Sequence, residues 1–173
     1  MKRLGFVFVM TAVAVLPVSM LAQGPAATKP ATPAAKPAAQ APAAAGGVRT
    51  IELTANDQMK FDKVALTAKP GEKIKVVLKN TGTMPKMAGA HNFVLLKAGT
   101  DATKFANESV MAAATEYIPA SMKAAVVAHT ALTGPGEAME VTFDVPKAPG
   151  VYPFLCSFAG HFAAGMKGTL TVK

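Results

Sequence analysis

The 173-residue chain is 51% hydrophobic, has a formal charge of +8, and contains one cysteine and three histidines. That length allows one ordinary domain with appendages, and a single cysteine excludes an intramolecular disulfide framework. The first 47 residues hold Lys2, Arg3, Lys29 and Lys36 and no acid, so the remainder carries 14 basic and 10 acidic residues, a net +4 with no basic block among aromatics and no support for nucleic-acid binding.

Residues 1–22 open with Lys2 and Arg3, continue in an apolar run from Leu4 to Ala22, and end at small residues, Ala22 and Gly24. This is the pattern of a secretory signal. The run is long, however, so an uncleaved membrane anchor is the competing expectation, with Pro17 weighing against a regular spanning helix. Both readings place the protein outside the cytoplasm, either periplasmic or attached to the membrane on its outer side. Residues 23–47 are dominated by alanine and proline and hold no large apolar side chain. They cannot build a core, and their prolines favour a semi-rigid, extended spacer with a reach of roughly 80 Å at ~3.1 Å per residue.

Residues 48–173 read as the folded part. Alternation of apolar and polar residues marks half-buried strands at 48–54, 72–80 and 140–145. Turn signals at Lys69–Glu72, Asn80–Thr83, Thr133–Glu137 and Ala148–Gly150 separate them. Further strands are expected at 91–96, 124–129, 150–156 and 168–172. Seven or eight short strands of this kind predict an all-β sandwich or barrel. Between two of them, residues 101–125 are rich in alanine and methionine. They predict a helical insertion, capped by Asp101 or Thr103, stopped by Pro119, and packed on the sandwich.

The lone cysteine lies in Cys156-Ser-Phe-Ala-Gly-His161-Phe-Ala-Ala-Gly-Met166, just before the last strand. Each donor alone is ordinary: a lone cysteine is usually a small buried hydrophobe and a methionine core filler. Together, on a loop that Gly160 and Gly165 allow to turn tightly, they are a soft donor set suited to copper. A trigonal copper site needs a second imidazole. His91, after a Met-Pro-Lys-Met-Ala-Gly-Ala loop, is favoured over His129, which remains the alternative on these residues alone.

At this point the chain resembles the cupredoxins, in particular the azurin and auracyanin branch, over Ile51 to Lys173. Ala90-His-Asn-Phe-Val-Leu95 is similar to the azurin segment that carries a histidine ligand, and Cys156–His161 with Met166-Lys-Gly-Thr-Leu170 to the ligand loop. Asn56–Phe61, Val127–Thr130 and Val141–Val145 match in the same order. The resemblance implies a Greek-key β-sandwich and a type 1 copper held by His91, Cys156, His161 and an axial Met166, with His129 elsewhere. It also implies that the Ala90 carbonyl is a possible weak axial contact. Asn92 is expected to tie to Ser157, and the Phe158 N–H to donate to the Cys156 sulfur. One residue more separates His161 from Met166 than in azurins, and Ala159 stands where azurins have proline; both features are closer to auracyanin.

The function implied is electron transfer, with redox partner proteins docking briefly on an apolar patch around His161, Phe158 and Ala159, extended by Met84, Pro85 and Met87. The alternative is a copper carrier or buffer on the same fold. Three histidines cannot furnish the additional copper sites of multicopper enzymes, and one cysteine cannot build a binuclear copper centre.

Overall fold

The computed structural model describes residues 47–173. The expected export segment and all but the last residue of the expected linker lie outside the described residues.

Among the described residues, eight strands form two sheets. In the smaller, β1 (Arg49–Ala55) runs parallel to β3 (Lys73–Asn80), which pairs antiparallel with β6 (Ala138–Asp144). The larger has the order β2 (Ala65–Ala68), β8 (Lys167–Val172), β7 (Gly150–Leu155), β4 (Val94–Leu96), β5 (Val126–His129). The expected β-sandwich is therefore observed.

Alternation explains the packing. On β3, Ile74, Val76 and Leu78 are buried, while Lys73, Lys75 and Lys79 pair outward with Asp144, Glu140 and Glu52. The main core also takes Leu53, Leu66, Phe93, Leu95, Tyr152, Phe154, Cys156 and Leu170. The other face of the larger sheet presents Val94, Leu96 and Leu155, and these are covered by Phe105 and Ile118. The three residues of β4 are thus buried whichever way they point, so the strand reads as an unbroken apolar run. Pro153 fits inside β7 because β4 pairs only with Phe154 and Leu155, just beyond it.

The structure differs from the sequence reading at five points. The strand expected at 91–96 is only Val94–Leu96; His91 forms an isolated bridge to Thr133 instead. Strand β2 was not anticipated, since Ala-Leu-Thr-Ala offers one large apolar residue and its partner β8 lies about a hundred residues away. The insertion is helical only over α2 (Ala102–Ser109), capped by the Asp101 carboxylate, which accepts N–H bonds from Thr103 and Lys104. Two 3₁₀ turns follow, at Ala113–Thr115 and Ala120–Ala125, so Pro119 precedes a turn rather than stopping the helix. Met111 of the insertion is 90% exposed, so its methionines are not all packing.

A buried-edge ion pair joins β1 to the turn before β3. Arg49 Nη2 donates to Glu72 Oε2 at 3.2 Å and to the Thr67 carbonyl at 2.8 Å. This pairing, with the Lys69 N–H, holds the Glu72 carboxyl below its usual range. A depressed carboxyl contributes stability that is present above its unfolded pKa and is lost as pH falls through the folded one. Glu72→Gln is therefore expected to be less stable than the parent at pH 7, with the gap narrowing as pH falls below about 4.5. Urea titrations across that range check it.

Candidate metal centre

The site is assembled from two segments at one end of the sandwich. The first is the stretch before β4. The short helix α1 (Lys86–Gly89) leads into Ala90 and His91, and His91 exchanges two backbone bonds with Thr133, at 3.0 and 2.7 Å. The second is the loop after β7. Cys156 continues the inward face of Tyr152 and Phe154, and Gly160 (φ 86°) and Gly165 (φ 98°) turn the chain back through the left-handed region that glycine tolerates. The loop then closes on itself. The Cys156 N–H donates to the Met166 carbonyl at 3.1 Å, and the Met166 N–H to the His161 carbonyl at 3.0 Å.

Three donor atoms converge. His91 Nδ1 and His161 Nδ1 are 3.1 Å apart, and Cys156 Sγ is 3.5 Å from His161 Nδ1. All three donors lie within 4.8 Å of one another, and among the described residues this is the one such cluster of His, Cys, Asp or Glu. Bonds of about 2.0–2.3 Å to a first-row metal subtend donor–donor edges of roughly 3–4 Å. The residues therefore fit a single ion bound by two imidazoles and a thiolate, a donor set that suits copper. His129 is exposed on the edge strand β5 and takes no part. Met166 is fully buried in the same core cluster as Ala90 and Cys156.

The surroundings orient these groups. The Asn92 amide links the two segments: its Oδ1 accepts the Ser157 N–H at 2.8 Å and its Nδ2 donates to Ser157 Oγ at 2.9 Å. The Asn92 backbone N–H donates to Cys156 Sγ at 3.5 Å. This donor was missed in the sequence, where the Phe158 N–H was expected; both stabilise the thiolate, with Asn92 the larger.

Asn80, at the end of β3, was also missed. Its buried Nδ2 donates to the Gly89 carbonyl at 2.8 Å and to the Thr133 carbonyl at 3.1 Å, and its Oδ1 accepts the Gly82 N–H at 2.9 Å. Thr133 O is also the acceptor for His91 N–H, so Asn80 ties both the segment leading into His91 and its backbone partner. Its signal in the sequence, Asn before Thr-Gly, is that of a turn. Asp57 holds the neighbouring loop, its carboxylate accepting from the Thr83 and Met84 N–H groups and the Thr83 hydroxyl.

Burial sets the protonation of the metal-free site. It pushes the Cys156 thiol up to about 12. It also lowers His91, helped by the neighbouring His161, to about 4, and it lowers His161. The Asn56 carbonyl lies near the His91 ring and opposes the shift, but His91 Nε2 has no partner in hydrogen-bond geometry. At neutral pH the site is thus a thiol and two neutral imidazoles. Uptake of a divalent ion must displace the thiol proton and no imidazole proton. Calorimetric titration with Cu(II) in buffers of different ionisation enthalpy is expected to show about one proton released per ion at pH 6–8; two or more would contradict this assignment.

The ligand loop also corrects an expectation. His161 is only 1% exposed and Phe158 is buried, so neither forms an exposed ligand edge. In the same loop Gly160, Ala163, Ala164 and Gly165 are exposed, and so is Met87 of α1, at 94%.

Comparison with known proteins agrees with this geometry. The family model of copper binding proteins of the plastocyanin/azurin type matches residues 49–173. Azurin from Pseudomonas denitrificans is 39% identical over 127 residues, covering 72% of this chain and 98% of the azurin. Outer membrane protein H.8 of Neisseria meningitidis is 42% identical over 125 residues, covering 71% of this chain and 66% of that protein. Among solved structures, reduced auracyanin from Roseiflexus castenholzii superposes with a TM-score of 0.65 at 38% identity, covering 74% of this chain and 99% of auracyanin. With a two-histidine, one-cysteine site inside a β-sandwich, the chain belongs to the plastocyanin/azurin family of copper-binding proteins: it is a blue-copper cupredoxin, a type 1 copper electron-transfer protein.

Proposed function

We propose that residues 48–173 shuttle single electrons between redox partner proteins that dock briefly over the loop carrying His161, and that the domain is not an enzyme. The observation that supports this most is the convergence of His91, Cys156 and His161, all buried, on two segments that are each tied down. Bound copper would supply a one-electron Cu(II)/Cu(I) couple. The chain's part is to hold one donor arrangement in both states, so that little moves when an electron arrives.

In this reading His91, Cys156 and His161 would hold the copper, with the Met166 thioether and the Ala90 carbonyl as weaker contacts. Asn92 and Ser157 keep the two ligand segments in register. The N–H groups of Asn92 and Phe158 stabilise the thiolate and raise the reduction potential. The exposed alanines and glycines of the His161 loop suit a small, fast-dissociating contact of the electron-transfer kind.

We further propose that residues 1–22 direct export or remain as an anchor and that residues 23–47 act as a spacer. An outer membrane protein among the relatives supports an extracytoplasmic location. Mass spectrometry of the mature N-terminus distinguishes cleavage from retention. The carrier reading is tested by kinetics. A shuttle exchanges electrons with itself and with small oxidants far faster than it yields copper to a chelator; copper lost to the chelator on the same timescale as electron exchange would favour a carrier.

A further inference from the structure

The insertion between β4 and β5 contains two successive residues in the left-handed region, Glu116 (φ 53°) and Tyr117 (φ 62°). A bulky side chain such as tyrosine rarely occupies this region, and such backbone persists only where its surroundings enforce it. Here a net of bonds does so. The Glu116 N–H donates to the Ala113 carbonyl at 3.2 Å, the Tyr117 N–H to Ala112 at 2.8 Å, and the Ile118 N–H to Thr115 at 3.0 Å. The Thr115 hydroxyl returns a bond to the Ile118 carbonyl at 2.8 Å. The turn sends neighbouring side chains to different places: Ile118 into the outer apolar cluster, Tyr117 against the main core.

Two contacts from this turn reach the metal centre. Asn92 Nδ2 donates to the Glu116 carbonyl at 3.3 Å, and this is the amide whose oxygen accepts the Ser157 N–H. The Tyr117 ring lies 4.7 Å from Phe158 at 49°, and Phe158 lies 4.7 Å from His161 at 40°. The turn therefore touches both the amide joining the ligand segments and the ring that covers a ligand.

We propose that Glu116–Tyr117 is a brace on the metal centre: the Glu116 carbonyl fixes the Asn92 amide, and the Tyr117 ring holds Phe158 over His161 and keeps water off that side. The redox half of this proposal rests on the electron-transfer reading; the structural half concerns the metal-free chain. Glu116 acts through its backbone carbonyl, since its side chain is exposed. Tyr117 acts through its ring, as a positioning residue. With a thiolate ligand, the oxidised site carries one more positive charge than the reduced one, and an apolar cover disfavours the more charged state. Removing the cover therefore lowers the reduction potential.

The test uses Tyr117→Ala, Tyr117→Leu and Tyr117→Phe, with Glu116→Gly as a probe of strain. In the metal-free domain, hydrogen exchange of the Ser157 amide reads the Asn92 tie; in the copper-loaded protein, voltammetry reads the potential. Tyr117→Ala is expected to speed Ser157 exchange about tenfold and to lower the potential, with Tyr117→Phe restoring both. Tyr117→Leu shifts both in the same direction by less, and serves alone if the alanine variant fails to fold. Glu116→Gly keeps the carbonyl, relieves the left-handed strain and raises the unfolding temperature. Folded Tyr117→Ala or Tyr117→Leu protein with parental Ser157 exchange and parental potential would overturn the brace. If the parent itself forms no redox-active copper site, the electron-transfer reading fails, while Ser157 exchange in the metal-free variants still decides the brace.

Discussion

Cys156→Ser is expected to abolish the intense visible absorption of the copper-loaded domain while leaving the fold in place. The band of a thiolate–copper site arises from charge transfer out of the sulfur, so it disappears when that atom does. Serine nearly matches the cysteine in size, and the site's other ties survive. The Asn92–Ser157 amide bonds do not involve the sulfur, and the Cys156 backbone N–H to the Met166 carbonyl is a main-chain bond. A serine hydroxyl is a poor copper donor, so affinity falls along with the colour. Absorption spectra and a copper titration of the variant check both, with circular dichroism verifying the fold. A blue variant would show that Cys156 is not the thiolate ligand.

Asn80→Leu is expected to destabilise the domain by about 3 kcal/mol or more and to weaken copper uptake. Leucine fills similar space without polar atoms, so it strands the groups that Asn80 serves. The Gly89 carbonyl and the Gly82 N–H lose this partner, whereas the Thr133 carbonyl keeps the His91 N–H. The buried Gly89 carbonyl left unsatisfied costs about 1–3 kcal/mol, and the part-buried Gly82 N–H adds to it. The consequence then travels to the metal, because Gly89 lies two residues before His91 and Thr133 is paired to it. Losing partners that orient a ligand typically costs about 10–100-fold in metal affinity. Urea unfolding of the metal-free variant and competition with a copper chelator measure the two effects. A variant within about 0.5 kcal/mol of the parent, with parental affinity, would remove Asn80 from the account.

The three-donor cluster was legible because its chemistry is rare. The only cysteine shares a glycine-hinged loop with one histidine, and only two other histidines compete to be the second imidazole. Strands with strict alternation, such as β3 and β6, were equally plain. The rest was hidden for physical reasons. Strand β2 exists because β8 pairs with it, and Ala65–Ala68 carries little preference of its own. The insertion folds into one short helix and two 3₁₀ turns because Phe105 and Ile118 must cover the outer face of the larger sheet, a tertiary demand its alanine-rich composition does not reveal. Asn80 reads as a turn former, and only the fold brings Gly89 and Thr133 to its amide. The burial of His161 under its own loop and α1 likewise depends on contacts between segments far apart in the chain.

Whether His91, Cys156 and His161 hold one redox-active copper as a type 1 site is tested most directly by the visible spectrum of the copper-loaded domain, recorded oxidised, then reduced, then reoxidised. One intense charge-transfer band per copper is expected, bleaching with one electron and returning in full on reoxidation. A colourless Cu(II) protein, or a band that does not return, would contradict this assignment.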